Sequence, residues 1–274
     1  MKLGAMTTTV LFHDVDGCLN TPDGQGLPMR GEALSADQQQ QLQALGRRLA
    51  NSPVDIVCIN TGRALADTVA IADALNDPCV RFVIAEHGAV IFDLRTQRTV
   101  EAWPEQDNPF DAIRRFLDWY RTTGLGQLHH HINPSIELLN KEANLTLTIP
   151  QGAEYEPMVA FIREQIVSAF PADADNFVFH HSVADRFLDV MAQVNKGDGT
   201  RALLQWLRQT EHIEQTDTVA VGNGSNDLPL LAVVDRFVCP SNSEAVVLDY
   251  CLSHQGFAAT KPYIEATFEW LDSL

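Results

Sequence analysis

Short unbroken apolar runs, separated by amphipathic stretches, organise the first ninety residues. Thr7 opens TTTVLFH, a β-branched and aromatic run suited to a strand buried on both faces, and it stops abruptly at DVDGCLN. A Gly- and Pro-rich loop, TPDGQGLPMRGE, leads to Ser35. With Gln38 three residues on, Ser35 predicts a capping-box start to a helix that carries Leu42, Leu45 and Leu49 on one face. Asn51, Ser52 and Pro53 stop that helix, VDIVCIN supplies a second buried strand ending at Asn60, and ALADTVAIADAL is helical again. RFVIAEHGAVIF is a third apolar run. Strands alternating with helices at this spacing describe βαβ units, hence a parallel sheet covered on both faces.

The rhythm changes after Asp93. A helix (NPFDAIRRFLDWYRTTG), a hairpin-like pair (SIELLNK and NLTLTIP), a second helix (YEPMVAFIREQIVSAF) and two strands (FVFHH and RFLDV) give an α-β-β-α-β-β order. Such a run forms its own open-faced sheet with helices on one side, and it reads as a second domain inserted into the first. The βα rhythm then returns with a helix from Lys196, the strand TVAVG, a helix begun by LPLL and the strand RFVCP. Ser241 and Glu244 are read as a capping box opening the next helix. The expected division is a split α/β core over residues 1–92 and 187–274 and an inserted α+β domain over 93–186.

Charge narrows the partners. Lys and Arg number 19 against 36 Asp and Glu, a formal net charge of −17. Neutralising a row of phosphates takes clustered Lys and Arg, and an anionic membrane surface repels an acidic protein, so nucleic acid and membrane are both excluded as expected partners. A 45% apolar content at 20% charged residues fits a folded chain rather than a disordered acidic one. Five scattered cysteines without a CxxC pair read as free thiols in a reducing compartment. MKLGAMTTT lacks the apolar stretch of a secretory leader, and no window approaches the ~18–20 apolar residues of a membrane span, so a cytoplasmic protein is expected.

Four polar clusters stand at strand ends or helix starts. Asp14 and Asp16 follow the first buried strand, on the sheet edge where ligands bind in open α/β folds. Residues i and i+2 of an extended stretch point the same way, so the two carboxylates converge, and Gly17 lets the chain turn off at once. Two hard oxygen ligands so placed suit Mg²⁺. Thr61, in INTGR, follows the second strand, where its hydroxyl, the Gly62 amide and the next helix start form a cradle for an anion. Lys196 opens a helix, where its charge opposes the dipole and asks for an anionic partner. GNGSND, Gly222 to Asp227, gathers Asn223, Asn226 and Asp227 between a strand and a helix. Each cluster also has a plainer reading on its own: a strand-to-turn junction, an N-cap threonine, a solvated lysine, a capped loop.

The order DxDG, T, K, GNxxND resembles the haloacid dehalogenase superfamily of phosphohydrolases over residues 7–92 and 187–274. The insert resembles the type IIB cap of sugar-phosphate phosphatases such as the sucrose-phosphate, mannosyl-phosphoglycerate and trehalose-phosphate enzymes, and IAEHG, with Glu86 and His87, resembles a turn near the cap of several of them. The resemblance implies a Rossmann-like core with an αββαββ cap, Mg²⁺ as cofactor and a small phosphorylated metabolite, a sugar phosphate, as substrate. By that resemblance Asp14 is the nucleophile that becomes an aspartyl-phosphate, and Asp16 is the general acid and base. Thr61, Gly62, Arg63, Lys196, Glu86 and His87 are then candidates to bind phosphate or substrate, and Asp14, Asp16, Asn223 and Asp227 to hold the metal.

Two positions depart from the family pattern. Cys18 stands where Thr is usual, a change expected to matter little because Thr there supports the turn. Asn223 replaces an Asp, so one negative charge is lost from the metal site and only a carbonyl oxygen is offered. Besides the phosphatase, a phosphomutase using the same aspartyl-phosphate and a catalytically impaired phosphate-binding regulator remain open, and a DxD glycosyltransferase leaves Lys196 and GNGSND unexplained. His129, His130 and His131 cannot all face one ion from a strand and read as surface, as do His180 and His181. Glu137, Asn140 and Lys141 read as a solvated hairpin face, and Phe116, Trp119 and Tyr120 as core of the insert.

Overall fold

The computed structural model describes residues 7–28, 31–103, 108–124, 133–134, 141–182 and 186–274. They form two compact units, one of Met1–Ala102 with Asn195–Leu274 and one of Trp103–Val194. His129, His130, His131, Glu137 and Asn140 fall outside the described residues.

In the first unit the apolar runs become β1 (Thr8–His13), β2 (Ile56–Asn60) and β3 (Val80–Ala85). β10 (Thr216–Val221), β11 (Arg236–Cys239) and β12 (Phe257–Ala258) continue the sheet on the other side of β1. These strands are parallel, in the order β12-β11-β10-β1-β2-β3. β4 (Val90–Asp93) and β5 (Arg98–Thr99) add an antiparallel edge. Alternate residues of each strand feed opposite cores, as period-two geometry requires. Leu11, Val57, Ile59, Val83 and Val219 meet the apolar faces of α1 (Ala36–Leu49), α2 (Leu65–Leu75) and a C-terminal helix, Tyr263–Asp272. Val10, Phe12, Cys58, Phe82, Ile84 and Ala220 meet Leu203 and Leu207 of the helix Lys196–Thr210 and Val247 and Cys251 of the helix Ala245–Ser253. The parallel sheet is therefore covered on both sides.

The Ser35 and Gln38 capping box forms as expected. Helix α1 then passes so close to the end of α2 that a Cβ on Gly46 would lie 1.9 Å from the Leu75 carbonyl oxygen. Gly46→Ala is therefore expected to destabilise the protein by about 1–3 kcal/mol through overpacking, despite alanine's better helix propensity, and to lower the melting temperature by several degrees in a thermal melt.

The second unit holds α3 (Asp111–Trp119), β6 (Asn133–Pro134), β7 (Asn144–Thr148), α4 (Tyr155–Ala169), β8 (Phe177–Ser182) and β9 (Phe187–Ala192). Its sheet is antiparallel in the order β6-β7-β9-β8. Leu145, Leu147, Leu188 and Val190 are buried at alternate positions, and Phe116 and Tyr120 are buried in an aromatic cluster with Trp119, Phe170 and Phe177. Lys141 is buried rather than solvated, its ammonium donating to Thr146 Oγ1 at 3.0 Å.

Three local readings differ from the sequence expectation. The units divide at 102/103 and 194/195 rather than 92/93 and 186/187, because β5 pairs with β4 in the first sheet and β9 pairs with β7 and β8 in the second. The run RFVIAEHGAVIF is two antiparallel strands joined by the turn Glu86–Gly88. No capping box forms at Ser241 and Glu244: the helix starts at Ala245 without a side-chain cap, and the Glu244 amide instead donates to the Asn223 carbonyl at 2.8 Å. Among the described residues no helix is long and apolar enough to cross a membrane.

Candidate active site

Asp14 leaves β1 at its C-terminal end, next to the end of β10, with its amide on the Val221 carbonyl at 3.0 Å. Gly222 follows on β10 because nothing larger fits: a Cβ there would lie 2.7 Å from the Asp227 Cβ. The third member arrives from the helix Lys196–Thr210. Asn195 caps that helix through its side chain and Asp198 returns the bond, so Lys196 is its first residue. Lys196 is 1% exposed, and its ammonium donates to Asp14 Oδ1 at 2.6 Å and to Asp227 Oδ1 at 2.5 Å. The anionic partner that a lysine at a helix start requires is thus a pair of carboxylates.

Burial and the Asp227 charge push the Asp14 carboxyl up to about 8, while Lys196 pulls it down. Burial opposes the Lys196 charge, but Asp14 and Asp227 outweigh it and hold its pKa above the ordinary lysine value. One ammonium serving two buried carboxylates leaves the cluster one positive charge short. Asp227 Oδ2 is also engaged, accepting from the Asn223 and Gly224 amides at 2.9 and 3.0 Å.

Asp16 lies apart from this cluster. Its side chain is 56% exposed and paired with Arg63, whose Nε donates to Oδ2 at 2.9 Å and Nη2 to Oδ1 at 2.5 Å. Nη1 and Nη2 of Arg63 also reach the Pro28 and Leu27 carbonyls at 2.6 and 2.9 Å, so the buried guanidinium is spent on positioning Asp16 and its loop. Thr61 is buried but does not cap a helix. Its Oγ1 accepts from the Arg63 amide at 3.3 Å, and α2 begins beyond Ala64. Glu86 and His87 have φ of 53° and 59°, left-handed values costly for non-glycine residues, and Gly88 follows at 107°. That turn lays the His87 ring on Gly62, where a Cβ would come within 2.4 Å of it.

Several residues at the site carry no motif. Asn60 ends β2 fully buried and donates to the Lys196 carbonyl and Thr200 Oγ1, and its Oδ1 has no hydrogen-bond partner among the described residues. Its signal in the sequence is a polar residue closing an apolar run. Asn242 donates to the Gly17 carbonyl at 3.0 Å and accepts from the Tyr263 amide, a contact no local pattern announces. His13 bonds to the Asp14 carbonyl at 2.6 Å and to Thr267 Oγ1 at 2.8 Å. Burial lowers its pKa from 6.5 to about 4. A depressed folded-state pKa contributes stability that is complete above about 6.5 and is lost as pH falls towards 4, up to roughly 3 kcal/mol. Urea unfolding of the wild type and of His13→Gln between pH 7.5 and 4.5 is expected to show this loss as the difference between the two, because the raised Asp14 carboxyl changes stability in the opposite sense in both.

The oxygen donors narrow the cation question. Among the described residues no three His, Cys, Asp or Glu side chains gather as a metal site. Of the four acidic or amide candidates, Asp16 is held by Arg63 and both Asp227 oxygens are engaged. Asp14 Oδ2 remains, with Asn223 Oδ1, which accepts only a thiol hydrogen bond from Cys18 at 3.3 Å. One carboxylate and one amide fit Mg²⁺, which takes few protein ligands and keeps water and substrate phosphate oxygens for the rest, and a divalent ion offsets the missing positive charge.

The chain is similar to known proteins in sequence over part of its length and in fold over most of it. The model of the haloacid dehalogenase-like hydrolases matches residues 127–253. No curated protein sequence matches the chain. Among solved structures, a Thermoplasma acidophilum protein is 15% identical with a TM-score of 0.63, covering 98% of this chain and 100% of its own. The Synechocystis sucrose-phosphatase, solved with sucrose and phosphate, is 16% identical with a TM-score of 0.60, covering 98% of each chain. A haloacid dehalogenase-like hydrolase from Bacteroides thetaiotaomicron is 14% identical with a TM-score of 0.57, covering 89% of this chain and 92% of its own. The chain therefore has the α/β fold of these structures along most of its length and is similar in sequence to the haloacid dehalogenase-like hydrolases over residues 127–253.

Proposed function

We propose that the protein is a Mg²⁺-dependent phosphohydrolase of small phosphorylated metabolites, sugar phosphates in particular, working through an aspartyl-phosphate on Asp14. The observation that carries this reading is the buried Lys196 ammonium shared by Asp14 and Asp227 at the ends of β1 and β10. Lys196 holds the Asp14 carboxylate through Oδ1 and so orients it for attack on phosphorus. Attack on phosphorus forms the Asp14–phosphate bond and breaks the bond to the leaving alkoxide, which takes a proton from Asp16. Asp16, now a carboxylate, accepts a proton from water as that water attacks phosphorus and frees Asp14 and inorganic phosphate. Arg63 keeps Asp16 at the rim, and proton transfer uses an oxygen released from that pair. Bound Mg²⁺ supplies the positive charge that lets a carboxylate and a phosphate dianion approach.

The local cations matter because the chain's −17 charge repels an anionic substrate at long range. The sugar-phosphate class is supported by the resemblance of the insert to type IIB caps and by the fold shared with sucrose-phosphatase. The test is inorganic phosphate release from a panel of sugar phosphates, with Mg²⁺ and with EDTA. Mg²⁺-dependent release is expected. Conversion to an isomeric sugar phosphate without release makes the protein a mutase, and no turnover with reversible phosphate binding makes it a regulator.

A further inference from the structure

The two departures from the family pattern touch each other. Cys18 and Asn223 are 205 residues apart, yet Cys18 Sγ donates to Asn223 Oδ1 at 3.3 Å. Cys18 is fully buried. The Asn223 backbone is fixed on both sides, its amide on Asp227 Oδ2 and its carbonyl on the Glu244 amide. Its side-chain amide lies against Gly17, where a Cβ would come within 2.2 Å of Nδ2 and 2.8 Å of Oδ1. The side-chain plane is therefore confined by Gly17, and the thiol is what distinguishes its oxygen from its nitrogen.

That distinction has a chemical consequence. A carboxylate offers a cation an oxygen whichever way it is turned, whereas an amide turned over presents N–H groups that repel one. An asparagine at this position therefore needs a neighbour that selects the oxygen-donor orientation. The thiol hydrogen bond is weak enough to leave the second lone pair of Oδ1 for another partner.

We propose that Cys18 is a positioning residue for the cation site: its S–H fixes the Asn223 amide as an oxygen donor, and the pair, rather than Asn223 alone, sets the affinity for divalent cations. This rests on the reading of Asn223 as a cation ligand. The substitution at position 18 is then the partner of the substitution at 223, not a neutral change in a turn.

A double-mutant cycle read by calorimetric titration of Mg²⁺ into the full chain without substrate tests it, since no turnover enters the signal. Cys18→Ala is expected to weaken Mg²⁺ binding about threefold to tenfold, the range of one modest hydrogen bond, and Cys18→Ser to keep it within about twofold. In the Asn223→Asp background, where either oxygen serves, Cys18→Ala is expected to change affinity by less than about twofold. An equal loss in both backgrounds, or none in the Asn223 background, overturns the proposal. Asn223→Ala separates the two levels: unchanged Mg²⁺ binding in that variant removes Asn223 as a ligand and with it the reading beneath.

Discussion

Asp14→Asn is expected to abolish phosphate release, lowering turnover by at least about 10⁴-fold while leaving the protein folded. The amide keeps the shape of the carboxylate and an oxygen for the Lys196 ammonium, but it cannot attack phosphorus to form an acyl phosphate. Folding is spared for an electrostatic reason. In the native protein Asp14 is 3% exposed and raised to about 8 by burial and by Asp227, so its charge is held against an unfavourable environment. Removing that charge leaves Lys196 paired with Asp227 alone, a balanced pair in place of an excess anion. The melting temperature of the variant is therefore expected to match or exceed that of the wild type. Two measurements check this together: phosphate release under saturating substrate, and acid-quenched labelling with a ³²P-phosphorylated sugar. Label retained by the Asp14→Asn protein, or turnover within tenfold of wild type, would show that Asp14 is not the nucleophile.

The sequence made the carboxylates of this site visible and left their pairing hidden. Asp14 and Asp16 stand out because they end an unbroken apolar run, and the strand TVAV marks Asn223 and Asp227 in the same way. β1, β2 and β3 are legible for a related reason, since Val10–Phe12, Ile56–Ile59 and Phe82–Ala85 are unbroken buried apolar runs. β5 and β12 have two residues each, too few for any period, and pairing to a neighbouring strand creates them. The Ser241 to Glu244 spacing met the rule for a capping box but failed because the Asn223 carbonyl, remote in sequence, took the Glu244 amide. Arg63 is the same lesson in charge. Its place after Thr61 and Gly62 suits a substrate anion, yet Asp16 and two loop carbonyls use its donors. The Cys18 contact with Asn223 joins residues whose separate substitutions look independent along the chain.

Lys196→Met carries the largest expected effect on stability. Methionine matches the length of the lysine stem and fills its space, so packing changes little, but the cation between Asp14 and Asp227 is lost. Breaking a buried ion pair by removing one partner typically costs about 3–5 kcal/mol, because the remaining charge is left in a medium that does not solvate it. Here two carboxylates remain, which repel each other, and the melting temperature should fall by roughly 10 °C or more. The pH dependence separates this cause from a packing defect. Lys196 is the group that pulls the Asp14 carboxyl down, so without it the carboxyl rises further above its ordinary value. A carboxylate whose folded-state pKa is raised loses stability as pH climbs through its unfolded value, near 4, towards the folded one. The part of the deficit that comes from Asp14 should therefore be small below about pH 8, where the carboxyl is protonated in both folded proteins, and grow as pH climbs above 8, where only the wild-type carboxyl, held by Lys196, ionises. Adding Asp14→Asn to Lys196→Met should recover part of the loss above pH 8, since one of the two stranded carboxyls is gone. A deficit independent of pH, or no recovery in the double variant, would mean that the Lys196 side chain acts by packing and not by its charge.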